Sequence, residues 1–327
     1  MTGRMIARRT LLVGVALGAA ASGEAHAQAF PTRLVRIVVP QTPGGASDVL
    51  ARIIAQRLSV LWGQSVIVEN KPGAGGVVGT EYVAKSPADG YTLLMSYAGT
   101  QAINPSLYAK LPFDSVKDFQ PVATVASLPF AIVVHPSVPA RSFQEFIALV
   151  RQKPGEITYG SSGNGSVNHL IGEMVNSQFG VRMVHVPYRG IAPAMNDLVS
   201  GQIQAAVPTL PSAIPFVSQG SVRALVVTSA ARAAAAPDIP TLAESGAPGF
   251  DVDPWFGLLA PAGMPAAIVS QINADVGKVL AEPEVRAQFK AQGATPLVTT
   301  PAEFQALLES DVEKWAKVVK SSGARLD

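Results

Sequence analysis

Short apolar strand patterns alternate with helical patterns along most of the chain, and this alternation limits the possible folds more than any other feature. Residues 34–39 (LVRIVV) are rich in β-branched side chains and end at Pro40. Apolar residues at helical spacing follow over residues 49–61. Because the same succession recurs as far as residue 227, the sequence predicts an α/β architecture of mostly parallel sheets flanked by helices.

Apolar periodicity places the individual elements. Strands are predicted at residues 34–39, 66–68, 91–95, 131–134, 157–159, 183–186, 203–207 and 222–227. Helices are predicted at residues 49–61, 78–85, 143–150, 167–178, 193–199, 265–280, 283–292 and 301–319. Each of the last three begins with a proline, which is typical of a first helical turn.

Length and composition predict an ordered chain of about two domains. The chain has 327 residues, of which 48% are hydrophobic and 15% charged. It contains no internal repeat and no low-complexity linker, so two domains would be connected by strands that cross between them. Cysteine is absent, which excludes disulfides, a thiol nucleophile and thiolate-bound metal centres.

The first 27 residues have the pattern of an export signal. Three arginines stand within the first nine residues, and the apolar run at residues 11–21 is too short to span a bilayer as an anchoring helix. The small residues Ala25 and Ala27 favour cleavage at this point, with Gln28 as the first mature residue. The sequence therefore predicts an exported protein, without deciding between the general and the twin-arginine route.

Removal of this segment leaves a neutral chain. It takes away three arginines and Glu24, so that 22 basic and 22 acidic residues remain. No basic stripe is left that would favour nucleic acid or an anionic membrane surface as a partner. No later segment reaches the roughly 18 apolar residues of a spanning helix.

Three glycine-rich loops each follow a predicted strand and lead into a helix. The first glycine loop, residues 40–48 (PQTPGGASD), presents the N–H groups of a helix start, which favour an anion. A tight turn capped by Ser47 or Asp48 is the alternative. The second glycine loop, residues 70–76 (NKPGAGG), lacks both the dinucleotide fingerprint and the lysine of a phosphate loop. We therefore predict no cofactor.

The third glycine loop, residues 159–169 (YGSSGNGSVNH), combines hydroxyls with a helix start. A serine nucleophile with His169 as its base is one interpretation. No G-x-S-x-G motif is present, and Ser166 three residues before His169 is also the spacing of a helix cap. His135 and His185 stand at strand ends without metal-ligand spacing, so we interpret both as structural and predict no metal site.

Several stretches of the sequence, taken together and in this order, are typical of one protein family. They are IVVPQTPGGASD, ENKPGAGGVVGTEYVAKSPADGYTLL, INPSLYAKLPFDSVKDFQPVA, YGSSGNGSVNHL, VPYRGIAPAMNDLVSGQI and WFGLLAPAGMP. In these blocks the mature chain resembles the solute-binding receptors of the tripartite tricarboxylate transporter family, the Bug-type periplasmic binding proteins. The resemblance implies a two-lobed clamshell. One lobe would combine residues 30–127 with residues 251–327, and the other would be residues 128–250.

The resemblance also implies a ligand site between the first and third glycine loops, gripping a carboxylate through backbone amides and hydroxyls. By position, the residues on the two sides of the site would be Gly44, Gly45, Ala46 and Ser47, and Ser161, Ser162, Asn164, Gly165, Ser166 and His169. Thr100, Tyr188 and Trp255 would line the remaining pocket, although core packing explains Tyr188 and Trp255 equally well. Arg189 could face the far end of a diacid or be a solvated loop charge.

One departure from the family pattern concerns the ligand. Many relatives carry an acidic residue after the strand matching residues 203–207, where this chain has Pro208 and Thr209. A ligand that bears an amine is therefore not expected.

The resemblance implies a monomeric, periplasmic, non-enzymatic receptor that delivers a small organic carboxylate, a di- or tricarboxylate or an aromatic acid, to a two-component membrane permease. The alternatives are an exported serine hydrolase using Ser162 or Ser166, and a sensor that does not serve uptake. No complete acid–base constellation in the sequence supports the hydrolase.

Overall fold

Two mixed β-sheets with helices on their faces form the framework of residues 30–326, the part of the chain that the computed structural model describes. The strands are β1 (Val35–Val39), β2 (Val66–Asn70), β3 (Thr92–Tyr97), β4 (Phe119–Ser127), β5 (Ala131–Val134), β6 (Thr158–Ser161), β7 (Val184–Pro187), β8 (Ala205–Ala206), β9 (Arg223–Val227), β10 (Trp255–Pro261) and β11 (Thr295–Pro296). The helices are α1 (Ala46–Trp62), α2 (Val77–Ala84), α3 (Asn104–Leu107), α4 (Phe143–Gln152), α5 (Val167–Phe179), α6 (Ile191–Val199), α7 (Leu210–Ser218), α8 (Ala266–Ala281), α9 (Pro283–Ala291) and α10 (Pro301–Ser322).

The six-stranded sheet has the order β11-β4-β10-β3-β1-β2, and the five-stranded sheet has the order β7-β6-β8-β5-β9. Most strands of each sheet run in one direction. Of the three exceptions, the two-residue β11 pairs antiparallel to β4 at the edge of its sheet. The other two, β5 and β10, each enter their sheet from the other sheet, without a crossover helix that packs on the new sheet. Because parallel pairing requires such a crossover, both strands pair antiparallel to their neighbours. Most strands of each sheet thus run in one direction, as predicted, and the antiparallel exceptions make both sheets mixed.

Two crossing segments connect the sheets. Residues 128–130 lead from β4 to β5, and residues 228–254 lead from β9 back to β10. Strands of the six-stranded sheet therefore come from both ends of the described chain, and those of the five-stranded sheet come from its middle. We keep lobe boundaries at residues 127/128 and 250/251 as a proposal, because the crossing segments belong to neither sheet.

Hydrophobic packing joins the helices to both sheets. One face of the six-stranded sheet packs on α1, α8 and α9 through Ile54, Val276 and Phe289. Another cluster contains Trp255, Phe304 and Trp315 together with apolar residues around α3 and α5. Burial of these large side chains supplies the main driving force for holding the elements in place. Within residues 30–326, no helix has the combination of length and apolar character that crossing a bilayer requires.

The periodic elements lie close to their predicted positions, and the departures have local causes. Helix α1 begins three residues earlier than predicted, and the strand predicted at residues 203–207 is only the two-residue β8. Strands β4 and β10 and helix α7 were not predicted. Pro121 in β4 pairs with Leu259 beside a register shift, which lets the strand accept a residue without an N–H group. The export segment, residues 1–27, lies outside the described residues.

Candidate functional site

The first glycine loop is fixed by a buried carboxylate at its own helix start. The amide of Gly44, which adopts a φ of +85°, donates to Oδ2 of Asp48 at 2.9 Å. Arg52 donates to both oxygens of the same carboxylate at 3.0 and 2.9 Å, and Asn70 donates at 2.9 Å. The loop is therefore closed from inside, and the Gly44 amide is already engaged.

The charge of Asp48 is stabilised by these donors. Burial of the carboxyl acts to raise its pKa, but the hydrogen bonds from Arg52, Gly44 and Asn70 outweigh burial and hold the pKa below its usual value. Asp48 is only 3% exposed. The ionised form therefore persists at neutral pH and keeps the loop in one conformation.

The helix start itself carries no side-chain cap. Gly45 is the residue before α1, in extended conformation, and no side chain hydrogen-bonds to the first turn. Of the two residues in the turn alternative, Asp48 does hold the turn through the Gly44 amide, but neither Ser47 nor Asp48 accepts from the first-turn amides of α1. The first amides of a helix have no intrahelical acceptor, so Ala46 and Ser47 offer N–H groups in a position where the helix dipole favours an anion.

Thr100 holds the first two loops together. Its hydroxyl accepts a hydrogen bond from Nε2 of Gln41 at 3.0 Å, and a Cβ atom on Gly76 of the second loop would lie 2.9 Å from its methyl carbon. Thr100 is fully buried. Both its hydroxyl and its methyl group thus contact other parts of the protein, and its place in a ligand pocket stays a prediction.

The segment of residues 99–108, a π-turn followed by α3, connects all three glycine loops. Asn104 donates to the carbonyl of Gly75 at 3.0 Å, and Tyr108 donates to the carbonyl of Ala74 at 2.9 Å. On its other side the segment meets the third loop, because a Cβ atom on Gly165 would lie 2.7 Å from Cδ1 of Leu107. The segment thus brings a loop of the five-stranded sheet against loops of the six-stranded sheet.

The hydroxyls of the third loop mainly hold the loop itself. Ser161 accepts from the amide of Gly163 at 3.0 Å, and Ser166 donates to the carbonyl of Gly163 at 2.7 Å. Ser162 donates to Oδ1 of Asn168 at 2.5 Å. Ser166 also accepts from the amide of His169 and is the N-cap of α5. The cap interpretation of Ser166 is therefore confirmed, and the predicted use of these hydroxyls as ligand donors is not supported.

The exposed part of the third loop is its tip. Asn164 is exposed, and Gly165 adopts a φ of +73° that favours glycine. Val167 and Asn168 stand in the first turn of α5, where amides again lack an intrahelical acceptor. Two helix starts, α1 and α5, are therefore the groups that this region offers to an anion.

Two predicted pocket residues, Trp255 and Tyr188, have other partners. Trp255 is 1% exposed, donates its indole N–H to Oδ2 of Asp311 at 2.9 Å and packs edge-on against Phe304. These contacts favour core packing, one of the two interpretations left open for Trp255, over a place beside the glycine loops. Tyr188 donates its hydroxyl to Asp197 at 2.7 Å, although its backbone amide bonds to Ser161 of the third loop. Arg189 is exposed in the same turn.

The described residues do not form a hydrolytic arrangement. The serine closest to an imidazole is Ser161, whose Oγ lies 2.6 Å from Nε2 of His185, and Ser161 is fully buried. Burial prevents an acyl substrate from reaching this hydroxyl. Ser162 and Ser166 are the serines that the hydrolase alternative would use. They bond to Asn168 and to backbone groups.

A cavity that the sequence did not predict lies beside the crossing segments. Its volume is about 490 Å³, and its walls include Ala230, Asp253 and Trp255 with residues of α10. It lies at the start of β10, a strand that β3 separates from β1 in the six-stranded sheet. Burial raises the pKa of Asp253 to about 6, which the nearby Ser127 hydroxyl offsets only in part. Nothing in the sequence pattern around residue 253 indicates this burial.

Comparison with known proteins gives one consistent result. A family model described as the tripartite tricarboxylate transporter family receptor matches residues 50–324. Protein BugT of Bordetella pertussis is 35% identical over 321 residues, which are 98% of each chain.

Two solved structures share the fold. One is Rpa4515 of R. palustris with adipate, at 38% identity and a TM-score of 0.79, covering 90% of this chain and 99% of that chain. The other is MatC (Rpa3494) from Rhodopseudomonas palustris with bound malate, at 34% identity and a TM-score of 0.74, covering 89% and 100%. They confirm the predicted two-lobed α/β fold class. The chain belongs to the tripartite tricarboxylate transporter receptor family, together with its Bug-type relatives.

Proposed function

We propose that this receptor binds a small organic dicarboxylate between the first and third glycine loops and carries it to a two-component membrane permease. The observation that carries the proposal is that two helix starts, of α1 without a side-chain cap and of α5 capped by Ser166, lie against one segment. Thr100 ties the first loop to residues 99–108, and Leu107 of the same segment contacts Gly165 of the third loop.

The chemistry of both loops suits an anion without a cationic side chain. The amides of Ala46 and Ser47 stand at the start of a 17-residue helix, and those of Val167 and Asn168 at the start of a 13-residue helix. Helix starts carry a partial positive charge and free donors. Charge-assisted hydrogen bonds from backbone amides are stronger than neutral ones, so a carboxylate is favoured over a neutral amide or ester.

The two residues that follow β8, Pro208 and Thr209, argue against an amine on the ligand. Thr209 after β8 directs its hydroxyl to Ser212 at 2.8 Å, and Pro208 has no polar side chain. Neither supplies a negative charge that would compensate an ammonium group in a desolvated cleft. The relatives solved with adipate and with malate contain ligands without an amine, which supports the same class.

A thermal-shift panel tests the ligand class. Adipate and malate are compared with their neutral diamides, and malate is compared with aspartate, which has an amine where malate has a hydroxyl. Binding to the folded state alone stabilises it by about 2.7 kcal/mol at a hundredfold excess over Kd. At about 2–4 °C per kcal/mol, a true ligand raises Tm by several degrees. Stabilisation by sugars, diamides or cationic amines, with every carboxylate inactive, would overturn the assignment.

We further propose that the protein acts in the periplasm as a monomer, binds its ligand without turnover, and loses residues 1–27 on export. N-terminal sequencing of protein from the periplasmic fraction should find a start near Gln28. Full-length protein confined to the cytoplasm of its host would contradict this.

Delivery to a permease is tested by deleting the gene of this protein and measuring cellular uptake of the carboxylate found in the panel. Unchanged uptake would favour the sensor alternative.

A further inference from the structure

A histidine outside the three loops supports the third one. His185 of β7 is in register with Tyr159 of β6, and its ring stacks on His169 with the centroids 3.9 Å apart and the planes inclined by 17°. Its Nε2 atom lies 2.6 Å from the hydroxyl oxygen of Ser161. The sequence interpretation of His185 as merely structural leaves both contacts unexplained.

The ring of His169 is held in one orientation and one tautomer. The amide of Gly165 donates to Nδ1 of His169 at 3.1 Å. An acceptor nitrogen carries no proton, so the neutral ring has its proton on Nε2. His169 is 7% exposed, and the stacked ring of His185 fills the space on one of its faces. The direction of the Gly165 amide and the orientation of the His169 ring are therefore fixed together.

His185 reaches the same loop by a second route. The Ser161 hydroxyl that it contacts accepts the amide hydrogen of Gly163 at 3.0 Å. Gly163 and Gly165 flank Asn164, the exposed tip of the loop. The two amides that flank this tip, those of Gly163 and Gly165, thus both donate to groups that His185 touches.

The pair of rings is neutral at neutral pH. Burial lowers the pKa of His169, and the carboxylate of Glu173 only partly opposes this. Burial and then the neighbouring His169 lower the pKa of His185 to about 4. Tyr159, whose ring lies 5.2 Å from His185, donates its hydroxyl to Glu173. A proton on Nδ1 of His169 would set two donors against each other and release the Gly165 amide.

We propose that His185 is a positioning residue for ligand binding: it keeps the third glycine loop in its anion-binding shape by holding His169 in the Nε2–H tautomer and by fixing the Ser161 hydroxyl. This inference rests on the proposed function, because the loop it supports is the one proposed to grip the carboxylate. His185 itself touches no ligand in this account.

Two variants and one matched control test the proposal with adipate and malate as probes. His185→Asn removes the stacked ring, and His185→Phe keeps a ring but removes the contact to Ser161. His135→Asn changes another strand-end histidine, which bonds only to Ser137 in its own turn. By titration calorimetry at pH 7.5, Kd should rise about tenfold or more in His185→Asn, less in His185→Phe, and remain unchanged in His135→Asn.

A second measurement separates positioning from loss of fold and needs no ligand. Nitrogen-15 spectra of the imidazoles in the ligand-free protein report the tautomer and the pKa of His169. In the wild type, His169 should carry its proton on Nε2 and stay neutral below its usual pKa. In His185→Asn, which uncovers one face of the His169 ring, that pKa should move up, and in His185→Phe, which keeps this face covered, it should move less.

The outcomes are distinct. Wild-type affinity and an unchanged His169 titration in His185→Asn would overturn the proposal. If the wild-type protein binds neither adipate nor malate, the proposed function is contradicted for these ligands. The tautomer and pKa of His169 in the variants then still decide whether His185 fixes the shape of the third glycine loop. If His185→Asn does not fold, His185→Phe is the deciding variant.

Discussion

The side chain of Leu107 occupies the space where a Cβ atom on Gly165 would be. The distance from that Cβ position to Cδ1 of Leu107 would be 2.7 Å, and Gly165 has a φ of +73°. Gly165 belongs to the third glycine loop and Leu107 to the segment that holds the other two loops. Glycine at this position therefore permits both the turn and the close approach between the two sheets' loops.

Gly165→Ala should lower the free energy of unfolding by about 1–3 kcal/mol, because left-handed backbone and crowding by Leu107 both oppose a methyl group. It should also weaken carboxylate binding. Gly45→Ala is the matched control, since Gly45 has a φ of −77° and the nearest atom to its Cβ position lies 3.8 Å away. In chemical denaturation, the free energy of unfolding of Gly45→Ala should lie within about 0.5 kcal/mol of the wild-type value. Equal effects of the two substitutions would contradict the contact.

Asp48→Asn should destabilise the protein by about 1–2 kcal/mol at pH 7, since the charged acceptor for Arg52 and the Gly44 amide is lost. The folded-state pKa of Asp48 lies below its unfolded value. The contribution of its charge is therefore present above about pH 4 and is lost as pH falls through the folded pKa.

Urea denaturation across pH 3 to 7 measures this difference. The stability gap between wild type and Asp48→Asn should narrow toward the acid end. Glu81→Gln is the control, because Glu81 pairs with Lys85 on an exposed helix surface and such pairs contribute little. A gap that is constant across this range would show that the loop does not depend on the charge of Asp48.

Asp253→Asn should have the opposite pH dependence. The folded-state pKa of Asp253 is raised to about 6, so the native state binds more protons than the unfolded state between about pH 4 and pH 6. Wild-type stability attributable to this group is full below about pH 4 and is lost as pH rises through 6. The neutral amide should thus stabilise the protein by about 3 kcal/mol at pH 8 and by almost nothing at pH 4.

Thermal unfolding at these two pH values is sufficient to see the difference. The exposed Asp238→Asn serves as the reference for a carboxylate in solvent. If Asp253→Asn is neutral or destabilising at pH 8, the carboxyl group is better solvated than its position beside the cavity indicates.

The sequence predicts those parts of the structure that depend on nearby residues. The run from β1 through the first glycine loop to α1 carries its own strand period, glycines and helical spacing, so it could be placed from residues 34–61 alone. Strand β10 could not, because Trp255–Pro261 is continuously buried and pairs antiparallel after a long crossing segment. A buried apolar run has no period that distinguishes a strand from a helix.

The candidate site shows the same limit. The glycines of the loops and the helix cap Ser166 depend on neighbouring residues only, so the sequence pattern indicates them. The closure of the first loop by Asp48 depends on Asn70, 22 residues further along the chain, and the support of the third loop depends on His185, 24 residues after Ser161. The sequence left Trp255 undecided between pocket and core, because its partner Asp311 lies 56 residues away. Such contacts arise from tertiary packing, which a single sequence does not display.

A crystal structure of the protein with the strongest stabiliser from the carboxylate panel tests the central claim most directly. The account predicts a carboxylate whose oxygens lie about 2.7–3.2 Å from backbone amides at the start of α1, around Ala46 and Ser47, and at the third loop around Asn164 and Val167. A ligand bound in the cavity beside Asp253, or held by one loop alone through side chains such as Arg189, would contradict it.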